Sequence, residues 1–371
     1  MHGPRIAAHH VMTPPKIEFR VPLHPLASLF GDAHAHVMGV HPLSDGSVVL
    51  HLSTRAEPIG DARIRLVVAD GRGLRPLAVP EEVAACVEAC GEDPVTEEAS
   101  YGAPVSFRLG DRVGLLVADR WAWVFDPLGG TAPVAIAIEP LALVTDRWGS
   151  RSYVPDRCGA GRDGRIPVIF RQPHAKPGYA CYLSALEIDL GSGRGRWTSQ
   201  GPAGDPVVVP YRLNPGGFNG VPEYAGTTLG DALWLGDRFR LFTMGNVPYG
   251  RMTMPYVTVL ESDADGGNPR AVREIDESAH ALFAADGRHM LLLPFTRRGP
   301  RKGKPSLIDL EAGTEMPLSV RGLAGYMPMA HADGRVWMAG GGRPGSWSRW
   351  DQLSLRDSDG DHGELVACRV E

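Results

Sequence analysis

Cysteine is scarce and unpaired in this sequence: the 371 residues hold five, Cys86, Cys90, Cys158, Cys181 and Cys368, with no Cys-x-x-Cys spacing among them. A disulfide framework is thereby excluded, and a reducing compartment is expected. No apolar run reaches the roughly 18 residues of a membrane span; the best candidate, residues 134–144, is broken by Glu139 and Pro140. Residues 1–15 lack an apolar stretch of signal-peptide length, so a cytoplasmic protein is expected. Cationic excess is missing too. With 38 Lys and Arg against 43 Asp and Glu, the net charge of −5 argues against a globally basic nucleic-acid binder.

Motifs of nucleophilic, nucleotide and zinc-protease chemistry are absent: there is no Gly-x-Ser-x-Gly elbow, no phosphate-binding Gly-x-x-x-x-Gly-Lys-Ser/Thr and no His-Glu-x-x-His. Gly191-Ser-Gly193-Arg-Gly195 imitates a dinucleotide fingerprint, but it follows Asp189 in a hairpin rather than joining a strand to a helix. The stretch Asp357-Ser-Asp359-Gly360-Asp361 imitates a calcium loop, yet its glycine comes one position early and a similar turn recurs at Asp263-Ala-Asp265-Gly266. A structural turn is the better reading of it.

Chain breakers, by contrast, are plentiful. The 46 glycines and 32 prolines suit many short strands and turns and disfavour a helical protein. Aspartate marks those turns in two alternating sets, Asp45, Asp111, Asp163, Asp237, Asp286 and Asp333, then Asp70, Asp126, Asp189, Asp263, Asp309 and Asp357. Five of the six pairs are separated by 23 to 26 residues and one, Asp111 to Asp126, by 15. Two hairpins per repeat require four antiparallel strands per repeat. Aspartate serves both, because its carboxylate accepts a backbone N–H two residues on while a nearby glycine supplies positive φ.

Six such repeats predict an all-β fold, a six-bladed β-propeller of four-stranded antiparallel blades. One propeller domain is expected over residues 25–371. Residues 1–24 form an N-terminal extension, with residues 17–21 spare as a strand that zips the ring shut. In the fifth blade residues 279–284, 289–293, 306–309 and 315–320 take the four strand roles, and in the sixth residues 326–330, 335–339, 352–355 and 364–370. One short helix is expected near residues 80–90, with Pro80 at its start, Glu81 and Glu82 in its first turn and Gly91 at its end. Cys86 and Cys90 would share a face of it as a buried apolar pair, since no second pair completes a metal site.

The fourth repeat resembles the TolB-type propeller repeat. Tyr256-Val-Thr-Val-Leu-Glu-Ser-Asp263-Ala-Asp265-Gly266-Gly-Asn268-Pro269-Arg270 is followed by Phe283-Ala-Ala-Asp286-Gly287-Arg288, with Ala284-Ala285 where that repeat has Ser-Pro. The resemblance implies a six-bladed fold. TolB-type propellers include protein-binding modules, peptidase gating domains and some polysaccharide lyases, so it does not select a function.

Two functional readings follow from side chains on one face, where the connections into each first strand and between second and third strands emerge. Cations and aromatics collect there: Arg171, Arg251, Arg297, Arg298, Arg301, Lys302, Arg343, Trp347 and Trp350. The first reading is a non-catalytic binding propeller whose cationic face takes a protein partner or an anionic ligand, with nucleic acid and membrane disfavoured. Solvated, mobile loop tips are its bland competitor. The alternative is a lyase-like enzyme acting on an acidic saccharide or small anion at the channel mouth. Arg171 and Arg251 would neutralise a carboxylate, and Tyr224, Tyr249, His174 and His280 would supply acid–base groups. No cofactor is required by the sequence. A divalent metal at the channel is the option that His34, His36 and His280 leave open, weighed against ordinary channel-lining histidines.

Overall fold

The computed structural model describes residues 15–56, 62–85, 104–117, 120–139, 154–161, 164–171, 180–198, 228–249, 252–264, 270–275, 279–294, 304–320, 326–340, 352–354 and 363–370, with short pieces at 141, 144–146, 149–151, 207–208, 268 and 323. β1 (Lys16–Pro22) and α1 (Pro25–Phe30) come first. An antiparallel run follows, β2 (His34–Pro42), β3 (Val48–Arg55), β4 (Ala62–Asp70) and β5 (Gly73–Leu77), then α2 (Glu81–Ala84). The next run is β6 (Val105–Leu109), β7 (Arg112–Val117), β8 (Trp121–Phe125) and β9 (Val134–Ile138). After a small hairpin of β10 (Val144–Asp146) and β11 (Gly149–Arg151) come β12 (Val154–Cys158), β13 (Arg165–Arg171), β14 (Ala180–Asp189) and β15 (Arg194–Trp197), with β16 (Val207–Val208) beside β14. Two further runs are β17 (Thr228–Trp234), β18 (Arg238–Tyr249), β19 (Met252–Asp263) and β20 (Arg270–Ile275), and β21 (Ala279–Phe283), β22 (His289–Pro294), β23 (Ser306–Asp309) and β24 (Glu315–Pro317). The chain ends with β25 (Met327–Ala332), β26 (Arg335–Gly340), β27 (Gln352–Ser354) and β28 (Glu364–Arg369).

The result is an all-β, propeller-like fold with two short helices among the described residues. Four sheets hold four or five strands each, and β6–β9 and β12–β15 join into one sheet through a two-residue parallel pairing of β15 with β9. The turn chemistry is that of the sequence pattern. Asp45 Oδ1 accepts the Ser47 N–H at 2.9 Å, Asp70 Oδ1 that of Arg72 at 2.6 Å, Asp189 Oδ1 that of Gly191 at 2.9 Å and Asp309 Oδ1 that of Glu311 at 3.0 Å.

The last sheet departs from the expected strand order. It runs β1-β28-β26-β25, so β28 is its third strand and β1, from the other end of the chain, its edge; β27 leaves it and pairs with β2. Burial explains the exchange. Leu365, Val366, Ala367 and Cys368 are fully buried on both faces, which suits an interior strand, whereas β1 alternates exposed and half-buried positions from Lys16 to Arg20, as an edge does, and buries only Val21. Helix content differs as well. α1, with Pro25 in its first turn and Gly31 ending it at φ 74°, was not anticipated; α2 spans only four residues, and Cys86 and Cys90 lie outside the described residues.

Among the described residues the core is divided into six clusters. Each run sends alternate side chains to the run before and the run after, as the period of two demands. Val48, Leu50 and Leu52 of β3 pack with Trp337 and Leu365, while Val49 of the same strand packs with Val113 and Phe125. Equivalent clusters lie between the remaining neighbours, for example Phe107 with Val168, Ile169 with Trp234, Phe242 with Ala281, and Leu291 with Val336. The first strands β2, β6, β12, β17, β21 and β25 touch in that order, and β25 returns to touch β2.

Candidate functional site: the axial cavity

The six first strands enclose a cavity of about 410 Å³ to which every one of them contributes. Four of these strands carry the same irregularity, one unpaired residue in the pairing with the second strand: Met38 in β2, Asp156 in β12, Gly230 in β17 and Met329 in β25. A bulge breaks strict alternation and re-aims side chains. Met38, Asp156 and Met329 all line the cavity.

Ser106 of β6 sits between two imidazoles, with its Oγ 2.8 Å from His41 Nε2 and 3.0 Å from His51 Nδ1. Burial, aided by the positive charge of Arg108, pushes His41 down to about 4; burial, with His41 and His36 nearby, pushes His51 down to about 3. Both rings are therefore neutral at pH 7 and each offers one donor and one acceptor. Gly39 makes the cluster sterically feasible. A Cβ there would lie 2.5 Å from Ser106 Oγ and 3.0 Å from His41 Nε2. Gly39→Ala should cost about 1–3 kcal/mol, read as a lower urea midpoint at unchanged slope; an unshifted midpoint would mean that Ser106 does not hold this position.

Asp231 of β17 is the most strongly perturbed carboxyl in the cavity wall. It is 4% exposed, and burial raises its pKa to about 6 against the opposing influence of Arg157 and two backbone donors. Those donors are Phe283 N–H, 2.7 Å from Oδ2, and Ala232 N–H, 2.9 Å from Oδ1. Arg157 donates to the carbonyl of the bulge residue Gly230. Arg108, further along the cavity, donates from Nε to the Gly110 carbonyl at 2.7 Å. Cys158 also lines the cavity, but burial raises its thiol far above neutrality, so it is no nucleophile at pH 7. Two carboxyls, two guanidinium groups, neutral imidazoles and a hydroxyl thus converge on one cavity of small-ligand size.

Few of the residues singled out from the sequence can be placed beside these. His36 lines the cavity and His34 stands two positions earlier on β2. His280 lies on β21 opposite Leu293, Arg171 ends β13 opposite Val154, and Tyr249 ends β18 opposite Met252. His174, Tyr224, Arg251, Arg297, Arg298, Arg301, Lys302, Arg343, Trp347 and Trp350 lie outside the described residues. Residues at the ends of second strands, Arg171, Pro294 and the penultimate Ala339, pair with the first residues of first strands, Val154, Ala279 and Met327.

Ser106, His41, His51, Asp156, Asp231, Arg157 and Arg108 were not singled out from the sequence. Their signal lies in three-dimensional pairing: a bulge or a contact between first strands leaves no mark in spacing. A second titratable group, Asp286 with His289 and His331, lies at the hairpin end of β21 and β25.

Comparison with known proteins gives no family match and no curated protein match. Among solved structures the chain is similar to an oligogalacturonate lyase in complex with manganese (10% identity, 97% of both chains, TM-score 0.47) and to the Penicillium chrysogenum α-L-arabinanase complexed with arabinobiose (9%, 96% of this chain and 98% of that one, 0.47). It is also similar to the β-propeller domain of the Trilobed protease from Pyrococcus furiosus (12%, 82% and 78%, 0.39). At these values the propeller-like assignment stands on this chain's own strand pairing and ring contacts. No helix among the described residues is long and apolar enough to cross a membrane.

Proposed function

We propose that the chain is a six-bladed propeller enzyme that takes a small acidic saccharide, or a related hydroxylated anion, into its axial cavity and performs acid–base chemistry there. Splitting the joined sheet at the short β15–β9 contact gives six units, each built on four antiparallel strands, with β27 added to the first and β16 beside β14; this supports the blade count, as does the closed cycle of first-strand contacts. The TolB-type resemblance agrees with that count.

Asp231 is the observation that carries the catalytic part. A buried carboxyl with a pKa near 6 can both hold and release a proton close to neutral pH, which is what a general acid–base group needs. Arg157 and Arg108 suit a carboxylate on the substrate. The neutral imidazoles and Ser106 suit its hydroxyls, each able to donate or accept. Asp156 supplies a second carboxyl. In this reading Arg171, Arg251, Arg297, Arg298, Arg301 and Lys302 would concentrate anions where substrate enters. Tyr249, Tyr224, His174 and His280 would complete the site.

The test is a panel of acidic and neutral oligosaccharides incubated with wild type and with Asp231→Asn. Elimination beside a neutralised carboxylate gives a product with a new carbon–carbon double bond and ultraviolet absorbance, whereas hydrolysis gives reducing ends without it. Either product from an acidic oligosaccharide, lost in the variant, supports the proposal. Binding without turnover, abolished by joint charge reversal of Arg298, Arg301 and Lys302, would instead favour the non-catalytic reading.

A further inference from the structure

We propose that Asp286, His289 and His331 form a binding site for a divalent first-row transition ion, zinc above all, where the β21–β22 turn meets the end of β25. The site is distinct from the acid–base cluster and holds whatever the cavity binds.

Three potential ligand atoms, one from each side chain, lie within 4.8 Å of one another. Asp286 is oriented by its own backbone: Oδ1 accepts the N–H groups of Arg288 at 2.8 Å and His289 at 2.9 Å. That fixes Oδ2 toward the imidazoles, 2.6 Å from His289 Nδ1 and 3.9 Å from His331 Nδ1. Around an ion with bonds of about 2.0–2.1 Å, neighbouring tetrahedral ligands stand roughly 3.3 Å apart, a value these two distances bracket. The imidazole centroids are 4.8 Å apart and the rings are tilted by 57°.

An independent observation points to a ligand. His331 is only 6% exposed, and its Nδ1, directed at Asp286, is buried without a hydrogen-bond partner. An orphaned buried nitrogen costs free energy in the apoprotein. A metal bond would satisfy it.

Donor chemistry selects the ion. Two imidazoles with one carboxylate suit zinc and its first-row neighbours, whereas calcium and magnesium require oxygen. Asp286 has 41% of its side chain exposed, which leaves access for the ion and room for water as a further ligand. Because His331 also lines the axial cavity, the bound ion would stand at the cavity wall, tying the fifth run to the last one.

The experiment uses full-length, tag-free protein, stripped with chelator, dialysed and titrated with zinc alone. Calorimetry and metal analysis of the dialysed complex should agree on one equivalent per chain, with a raised thermal midpoint. His289→Gln, Asp286→Asn and His331→Gln should each weaken binding by about 100-fold or more, since even loss of an outer partner weakens metal sites by 10- to 100-fold. His331→Gln alters a buried position, so partly exposed His289 and the turn residue Asp286 provide the variants that should remain folded without metal. Absence of stoichiometric zinc in the wild type overturns the proposal. So does zinc binding undiminished in folded His289→Gln and Asp286→Asn, which would assign the ion to other histidines.

Discussion

Glu261→Ala should destabilise the protein by about 3–5 kcal/mol, the cost of leaving a buried charge without its partner. Glu261 is 4% exposed and Arg240 8%, and Arg240 reaches Oε1 with Nη2 at 2.6 Å and Nε at 3.1 Å. Arg270 pairs with Oε2, Arg238 approaches it at 3.3 Å, and Arg240 also donates to the Gly287 carbonyl in the turn of the neighbouring run. Removing the carboxylate strands Arg240 at the seam between two runs, so the loss should reach the packing of both. Burial alone would raise the Glu261 pKa, but the hydrogen bonds from Arg240 and Arg270 outweigh it and hold the carboxyl below its ordinary range. A depressed folded pKa means stability that is present above the unfolded value and is lost as pH falls through the folded one. Urea unfolding at pH 7 and under acid should show a large loss in the variant at pH 7 and a smaller one in acid. A cost under about 1 kcal/mol at pH 7 would place the pair in the class of exposed ion pairs.

On the proposed acid–base reading, Asp231→Asn should lower turnover of an acidic saccharide by about 10²–10⁴-fold, the usual contribution of a positioned acid–base group, and should remove the limb of the pH–rate profile near 6. Stability provides a second readout that needs no substrate. Because folding raises the Asp231 pKa from 3.8 to about 6, the unfolded chain ionises first as pH rises. Stability therefore falls between pH 4 and 6 and stays lower above, by on the order of 3 kcal/mol at about 1.4 kcal/mol per unit. The asparagine variant should lack that slope. A slope unchanged by the substitution would show that another group titrates there.

The turns were legible in the sequence because an aspartate followed by glycine acts locally: Asp45, Asp70, Asp189 and Asp309 bond to backbone N–H groups two residues away. Strand identity followed wherever two such turns framed a run, as in β21 to β24. The last sheet was harder. β1 and β28 are separated by most of the chain, and only the two-sided burial of residues 365–368 says that β28 is interior. The cavity was least legible. Met38, Asp156, Gly230 and Met329 are unpaired because of registers set by neighbouring strands, and Ser106 meets His41 and His51 across two sheets. His289 and His331 are likewise brought together by two consecutive hairpins, although each was visible beside its own Asp-Gly turn. Of the cationic face, Arg171 alone is among the described residues; the others lie outside them.

The central claim, that the axial cavity is where a small acidic saccharide binds, is tested most directly by calorimetric titration of wild type and Met329→Trp with a short oligouronide. Met329 is an unpaired bulge residue lining the cavity, so an indole there occupies the cavity without removing a ladder hydrogen bond. The account predicts binding to wild type and at least about tenfold weaker binding to the variant, a loss of about 1.4 kcal/mol, at an unchanged thermal midpoint. Equal affinity in the two proteins, or no affinity of the wild type for any acidic saccharide, would contradict it.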